Sequence, residues 1–447
     1  MVAGAVATLV VGTGLAAAAI PAGVGSGAVN TGVPVDAGGQ QANSDSFEPA
    51  ISGDGRFVAF TSYASNLVAG DTNGTRDVFV RDRRLQLTRR VSVGPGGQQA
   101  NGFSGSPAIS ADGRFVAFSS SATNLVPGGT NNAGDVFVRD RVAQVTRRVS
   151  VSPGGQQGNN LSFSPAISAD GRFVAFVSFA SNLVAGDTNH TYDVFVRDRR
   201  ARVTRRVSVG PGGQQANSHS SDAAISADGR FVAFRSSASN LVAGDTISSP
   251  DVFVRDRMLQ VTRRISVGTG GQQANDDSFL PEISAHGRFV AFASYATNLV
   301  GGDTNGTYDV FVRDRRAQVT RRVSVGPGSQ QANSHSSAPA ISADGRFVTF
   351  VSSASNLVAG DTNGTADVFV RDRRAQVTRR VSVGPGGQQA NGESGSFRPA
   401  ISAHGRFVTF TSSASNLVAG DTNGTDDVFV RDRRAQVTRR MSVGSVG

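Results

Sequence analysis

The chain has 447 residues, among them 54 glycines and no cysteine, and its 44 basic and 34 acidic side chains leave a net charge of +10. The lack of cysteine excludes a disulfide framework, a thiol nucleophile and a cysteine zinc site. So much glycine excludes a helical bundle, and 17% charged residues are too few for a disordered tail, which leaves a turn-rich β protein built as one large repeat array.

Residues 1–35 carry no charged side chain, and Val6 to Ile20 is an apolar, alanine-rich run followed by small residues from Pro21 to Ala28. That order resembles the core and cleavage region of a secretory signal, although the basic segment that usually precedes the core is missing. Residues 1–28 are therefore read as a signal peptide or leader, with a membrane anchor over Val2 to Ile20 and a flexible tail as the alternatives. No other apolar run reaches membrane-spanning length, so no stable span is expected in the mature chain. The expected location is extracytoplasmic: secreted, periplasmic or in the cell envelope.

From residue 29 to 447 the chain reads as a single domain of seven copies. The isoleucine of Ala-Ile-Ser-Ala-Asp-Gly-Arg-Phe-Val-Ala-Phe falls at Ile51, Ile109, Ile167, Ile225, Ile283, Ile341 and Ile401, so the repeat is 58 residues and the last interval is 60. The motif Asp-Val-Phe-Val-Arg-Asp recurs on the same spacing from Asp77 to Asp427. Each copy divides into four short strands, in the first copy Ala50 to Ser52, Arg56 to Ser62, Asp77 to Asp82 and Leu87 to Val93. In the second strand Phe57 and Ala59 alternate with Val58 and Phe60, so both faces are apolar and both must be covered. Glycine, asparagine and aspartate interrupt every helical window, and the neighbouring copy is the remaining cover. The expected fold is all-β: a seven-bladed β-propeller of four-stranded antiparallel blades. A closed ring of this kind is expected to be a monomer.

Ser-Ala-Asp-Gly-Arg-Phe-Val-Ala-Phe followed by Asp-Val-Phe-Val-Arg-Asp resembles the TolB-type, WD-like propeller repeat of bacterial exported proteins. The resemblance covers nearly the whole chain after about residue 30 and implies that the Asp-Gly pair turns the innermost strand into the second. Asp54-Gly55, Asp112-Gly113, Asp170-Gly171, Asp228-Gly229 and Asp344-Gly345 fit it, whereas His286-Gly287 and His404-Gly405 keep only the glycine. It implies the fold firmly and the function loosely. One outer strand is surplus, because Val33-Pro34-Val35 is an eighth counterpart of Val91-Ser92-Val93. Either the N-terminal segment completes the last blade, or Met441 to Val443 does so and Pro34 lies at an edge.

In a four-stranded meander the loops after the second strand and between blades share one end, and the Asp-Gly turns and arginine-rich hairpins share the other. Loops on a rigid scaffold are the usual place for recognition. Gln98, Gln99, Asn101 and Asn124, repeated around the ring, are candidate binding amides there; the alternative is that they satisfy the loops' own backbone. Asp-Thr-Asn-Gly-Thr-x-Asp places oxygens at alternate positions, so Asp71, Asn73 and Asp77 with Asp303, Asn305, Asp309, Asp361, Asn363, Asp367, Asp421, Asn423 and Asp427 are weak calcium candidates. A plain Asn-Gly turn capped by aspartate is the rival and the preferred reading, so no cofactor is expected apart from this minor calcium option. No histidine pair has metal spacing, and no catalytic motif stands out.

The leading functional expectation is an exported, non-catalytic binding or scaffold module. Its partner would be a protein or a polar polymer met at the loop face, or an acidic envelope polymer held by Arg83 and Arg84 on the opposite rim. The alternative is a propeller hydrolase or lyase acting on an extracellular polymer, using blade-specific loop residues such as His219, Asp276, His335 and Glu393. Nucleic acid is not expected, because tryptophan is absent and tyrosine numbers only four.

Overall fold

A computed structural model describes residues 39–128 and 131–445. The leader over residues 1–28 and the surplus Val33-Pro34-Val35 therefore lie outside the described residues. The described chain forms seven sheets, each with four consecutive antiparallel strands in sequence order. In the first blade these are β1 (Ser46–Ile51), β2 (Phe57–Ser62), β3 (Asp77–Asp82) and β4 (Leu87–Arg90). The alternation on β2 makes the blade apolar on both sides, and Phe60 opposite Phe79 stacks at 5.9 Å, a pair that recurs in every blade. The core lies between blades. Val194 and Val196 of the third blade, for example, pack with Ile225, Val232 and Phe234 of the fourth, so no blade buries its faces alone.

The innermost strands ring the central axis, and in blades one to six each carries a bulge. Glu48, Ser106, Ser164, Asp222, Leu280 and Ala338 have φ between 49° and 53°, and the ladder slips by one residue beside each of them.

Two sevenfold locks close the ring at the tight-turn end. In the first, Gly53 N–H donates to Ala111 O, Ala111 to Ala169, Ala169 to Ala227, Ala227 to Ala285, Ala285 to Ala343, Ala343 to Ala403, and Ala403 back to Gly53, all at 2.9–3.0 Å. In the second, the phenylalanine that opens each second strand is stacked by two arginines. Phe57 carries Arg56 of its own blade at 4.7 Å and Arg141 of the next at 4.4 Å, and Phe407 of the last blade carries Arg83 of the first at 4.2 Å. The turn glycine is required twice over: Gly113 has φ 72°, and a Cβ there would overlap the Phe57 ring.

The last blade is complete from its own repeat, ending in a strand over Val437–Arg440. Met441 N–H then donates to Val428 O, and Gln41 bridges Val443 with Gly444 N–H donating to Gln40 O at 2.8 Å. Met441 to Val443 thus takes the last outer position, and the N-terminal segment joins it as Gln99 joins Val93 elsewhere. Among the described residues no helix is long and apolar enough to cross a membrane.

Candidate functional site

The loop face is held by a network that uses most of its repeated polar groups. Asp77 begins β3, buried, and accepts from Ser92 Oγ, from Gln99 Nε2 at 2.9 Å and from Asn73 Nδ2 at 3.0 Å. Gln99 Nε2 also donates to Asp71 at 2.7 Å, and Arg90 lies within 3.3 Å of Asp71 and 3.6 Å of Asp77. Each candidate calcium cluster is thus built around a guanidinium and an amide N–H that already face its carboxylates. The sets at Asp303, Asn305 and Asp309, at Asp361, Asn363 and Asp367, and at Asp421, Asn423 and Asp427 repeat this, with Arg322, Arg380 and Arg440. Burial pushes the Asp77 carboxyl above its ordinary value despite these donors.

The amides divide in the same way. Asn101 and Asn124 brace two loops, with Asn124 Oδ1 accepting Asn101 N–H at 3.0 Å and Asn124 Nδ2 donating to Gln99 O at 2.7 Å. Gln99 accepts from Thr72 and donates to the carboxylates. Gln98 and its counterparts Gln40, Gln156, Gln214, Gln272, Gln330 and Gln388 are exposed.

Against this uniform frame the structure gathers a set of positions at which the copies differ. Aligned on the repeat, the columns of Asp45, Phe47, Glu48, Tyr63 and Arg76 change residue type from copy to copy. Residues 45, 63 and 76 flank the loop ends of β1, β2 and β3. Tyr63 N–H donates to Asp45 O, and Arg76 O accepts Ser104 N–H of the next blade. Together they rim the mouth of the central channel on the loop face.

All four tyrosines stand there in three groups. Phe47 lies against Tyr63 at 5.9 Å and stacks on Phe397 at 4.7 Å. Tyr192 meets Phe163 and Phe179 edge-on at 5.4 and 5.2 Å. Tyr308 meets Tyr295 at 4.9 Å and stacks on His335 at 4.5 Å. Tyr63 and Tyr295 are 47% and 40% exposed, so both present part of their side chains to solvent. His219 donates to or accepts from Ser237 Oγ at 3.0 Å, its pKa lowered by burial and by Arg235. At a corner of the mouth Asp45 Oδ1 accepts Asp426 N–H at 3.1 Å, and burial, then Asp45 and Glu393, raise the Asp426 carboxyl.

Below the mouth, buried side chains fill the channel. Glu48 accepts from Ser106 N–H at 2.7 Å and Thr61 Oγ1 at 2.8 Å, and burial raises its pKa. Arg398, from the two-residue insertion of the last blade, crosses to Glu282 at 3.3 Å and Asp222 at 3.7 Å.

The sequence reading placed His219, Asp276, His335 and Glu393 in blade-variable loops, and all four fall at or beside this mouth. It missed the tyrosines, Arg76 and Arg398. Comparing the copies column by column was the signal that finds them, since each departs from its own repeat. The opposite rim needs a correction. Arg83 is not a free cation there: it stacks on Phe407, donates to Gly55 O, and burial lowers its pKa to about 10. The seven arginines of the Arg56 column bind the aspartates of the Asp82 column at 2.7 Å. Arg202 and the arginines of the Arg84 and Arg89 columns are exposed cations there.

No protein-family model and no curated protein matches the chain. Solved structures do. The β-propeller domain of the Trilobed protease from Pyrococcus furiosus matches at 9% identity and TM-score 0.53, over 89% of this chain and 97% of that one. Pyrococcus horikoshii acylaminoacyl peptidase matches at 9% identity and TM-score 0.53, over 90% of this chain and 54% of that one. TolB from Acinetobacter baumannii matches at 12% identity and TM-score 0.41, over 89% and 80%. The molecule is a seven-bladed β-propeller.

Proposed function

We propose that the chain is an exported, non-catalytic binding or scaffold propeller that takes a protein or polar polymer at the loop-face mouth of its channel. One observation carries this: the Asp45, Phe47, Tyr63 and Arg76 columns, which change residue type from copy to copy, converge on that mouth, while the repeated polar groups are engaged in holding the frame. Partly exposed tyrosines, apolar in the ring and polar at the hydroxyl, suit recognition of a partly apolar, partly polar surface. Gln98 and its counterparts offer a secondary ring of amides around it. We assign Asp71, Asn73 and Asp77 and their counterparts to bracing the loops and not to calcium, so calcium titration is expected to give no heat and no change in thermal stability.

Replacing Tyr63 and Tyr295 by serine, the residue at that column in Ser121, Ser237, Ser353 and Ser413, leaves the frame intact. The double variant is expected to lose capture of its partner from envelope or secreted fractions by about tenfold or more at unchanged melting temperature. Undiminished capture would remove the mouth as the binding surface.

A second reading, a hydrolase or lyase on an extracellular polymer, is favoured by one feature. Asp426, whose pKa is raised by burial and then by the neighbouring Asp45 and Glu393, is a carboxyl of the kind that can hold a proton for acid–base chemistry. A screen on extracellular polymers showing turnover that disappears in Asp426→Ala, the residue the sixth copy carries as Ala366, would establish it over the scaffold reading.

A further inference from the structure

The outer groove between the second and third blades differs from the ring's other grooves in a way that the repeat makes legible. In six copies the hairpin after the third strand carries glutamine at a positive-φ position: Gln86, Gln144, Gln260, Gln318, Gln376 and Gln436. There its Oε1 accepts from the arginine of the third strand, as in Arg81 to Gln86 at 2.9 Å and Arg313 to Gln318 at 2.8 Å. Its Nε2 donates back to the hairpin, as in Gln86 to Arg83 O at 2.6 Å. The third copy has Arg202 instead, at φ 58°. Arginine offers no acceptor, and Arg197 turns to Ser152 O of the second blade at 3.0 Å and to Thr204.

On the facing wall, from the second copy, Arg148 pairs with Asp135 at 3.1 Å. Exposed Arg147 adds a cation beside it, and exposed Arg200 and Arg202 add two from the third blade. The acids in the groove are committed elsewhere. Asp140 is bound by Arg114 at 2.7 Å, and Asp170 caps its own turn through Ser168 Oγ at 2.7 Å and Arg172 N–H at 2.9 Å. The groove measures about 1060 Å³, against about 320 Å³ between the first and second blades, where Val142 stands in place of Arg200.

We propose that this groove binds a linear acidic glycan, with Arg147, Arg200 and Arg202 as the groups that take its carboxylates or phosphates. Arginine forks match such oxyanions in pairs, and a concave site with uncompensated cations concentrates the field. The aromatic ring in the lining, Phe115, is already stacked by Arg114 and Arg199 at 4.8 and 4.5 Å, so it offers no platform for nucleic-acid bases. The site is separate from the loop-face mouth, and either can fail without the other.

The test uses the full chain with polyglucuronate, inorganic polyphosphate and oligothymidylate as probes, titrated at low and high salt. Arg202→Gln restores the residue that six copies already carry, so it folds as they do. It is expected to weaken glycan binding by about tenfold and to flatten its salt dependence, and Arg147→Gln is expected to act likewise. Preference for polyglucuronate over polyphosphate would name carboxylate as the anion, and the reverse would name phosphate; both sustain the site. Four results overturn it: no binding of either polymer, equal weakening by Arg89→Gln in the neighbouring groove, oligothymidylate bound as tightly as the glycan, or loss of binding in the Tyr63→Ser, Tyr295→Ser variant with none in Arg202→Gln.

Discussion

The two aspartates that bound each third strand belong to one motif and lie at opposite ends of the ring, where the structure treats them in opposite ways. At the loop end burial dominates, and Asp77 with its six counterparts is held above the ordinary carboxylate range, Asp251 and Asp427 at about 6. At the tight-turn end burial also opposes the charge, but the Arg56 hydrogen bonds and the hairpin N–H groups of Leu85 and Arg84 outweigh it, so Asp82 and its counterparts are held below that range. For Asp140 the Arg114 hydrogen bonds lead, and its pKa is about 2. The contrast teaches a division of labour. The tight-turn end is a sevenfold lock with the same contacts in every blade, and the loop end is a uniform frame around a mouth whose residues vary.

The most severe way to break the lock is to remove one copy, residues 102–159. Six blades cannot keep the same closed cycle of backbone hydrogen bonds from Gly53 round to Ala403 without changing the angle between neighbours, and an unclosed ring leaves an apolar blade face and strand edge open. The expected cost is comparable to the whole stability of a domain, roughly 5–15 kcal/mol, seen as aggregation in size-exclusion chromatography. A soluble monomer with an unchanged melting temperature would contradict the lock.

A smaller change compares the two ends directly. Gly113→Ala meets both an unfavourable positive φ and the Phe57 ring of the preceding blade, and about 3 kcal/mol or more of destabilisation is expected. Gly96→Ala on the loop face has a similar φ of 66° but nothing within 4 Å, so about 1 kcal/mol is expected. Equal losses in denaturant titration would show that the turn conformation alone sets the cost and that the interblade contact adds nothing.

How far the sequence reads toward this structure depends on whether local pattern or distant partners make each feature. Asp77 to Asp82 is a strand in both, because alternation on both faces and flanking turns are local signals. The innermost strand is read from Ala50, four residues late, because the bulge at Glu48 interrupts its alternation and Pro49 follows. Val91 to Val93 reads as part of the outer strand, whereas Val93 instead bridges Gln99 in the interblade loop. The bond from Gln99 to Asp71 spans a loop with no periodicity to announce it. The mouth was hidden for a different reason. Four tyrosines in the whole chain look negligible by composition, and only the fold shows that every one of them stands at the same end of the channel.

The smallest effect, and the one that separates the two ends without touching the fold, is the response to pH. A carboxyl whose folded pKa is raised binds its proton more tightly in the native state, so its contribution to stability falls as pH rises through the window between its unfolded and folded values. For Asp251 and Asp427 that window runs from about 4 to about 6. A carboxyl whose folded pKa is lowered does the reverse, and the stability it contributes is lost as pH falls from about 4 toward the folded value of Asp140 near 2. The melting temperature is therefore expected to climb modestly as pH is lowered from neutrality to between 4 and 5 and to fall steeply below, with the loop end setting the first limb and the tight-turn end the second. Asp251→Asn should flatten the first limb and leave the second, and Asp140→Asn should do the opposite. If either substitution alters both limbs equally, the two ends titrate as one unit, and the separation between lock and mouth has no electrostatic counterpart.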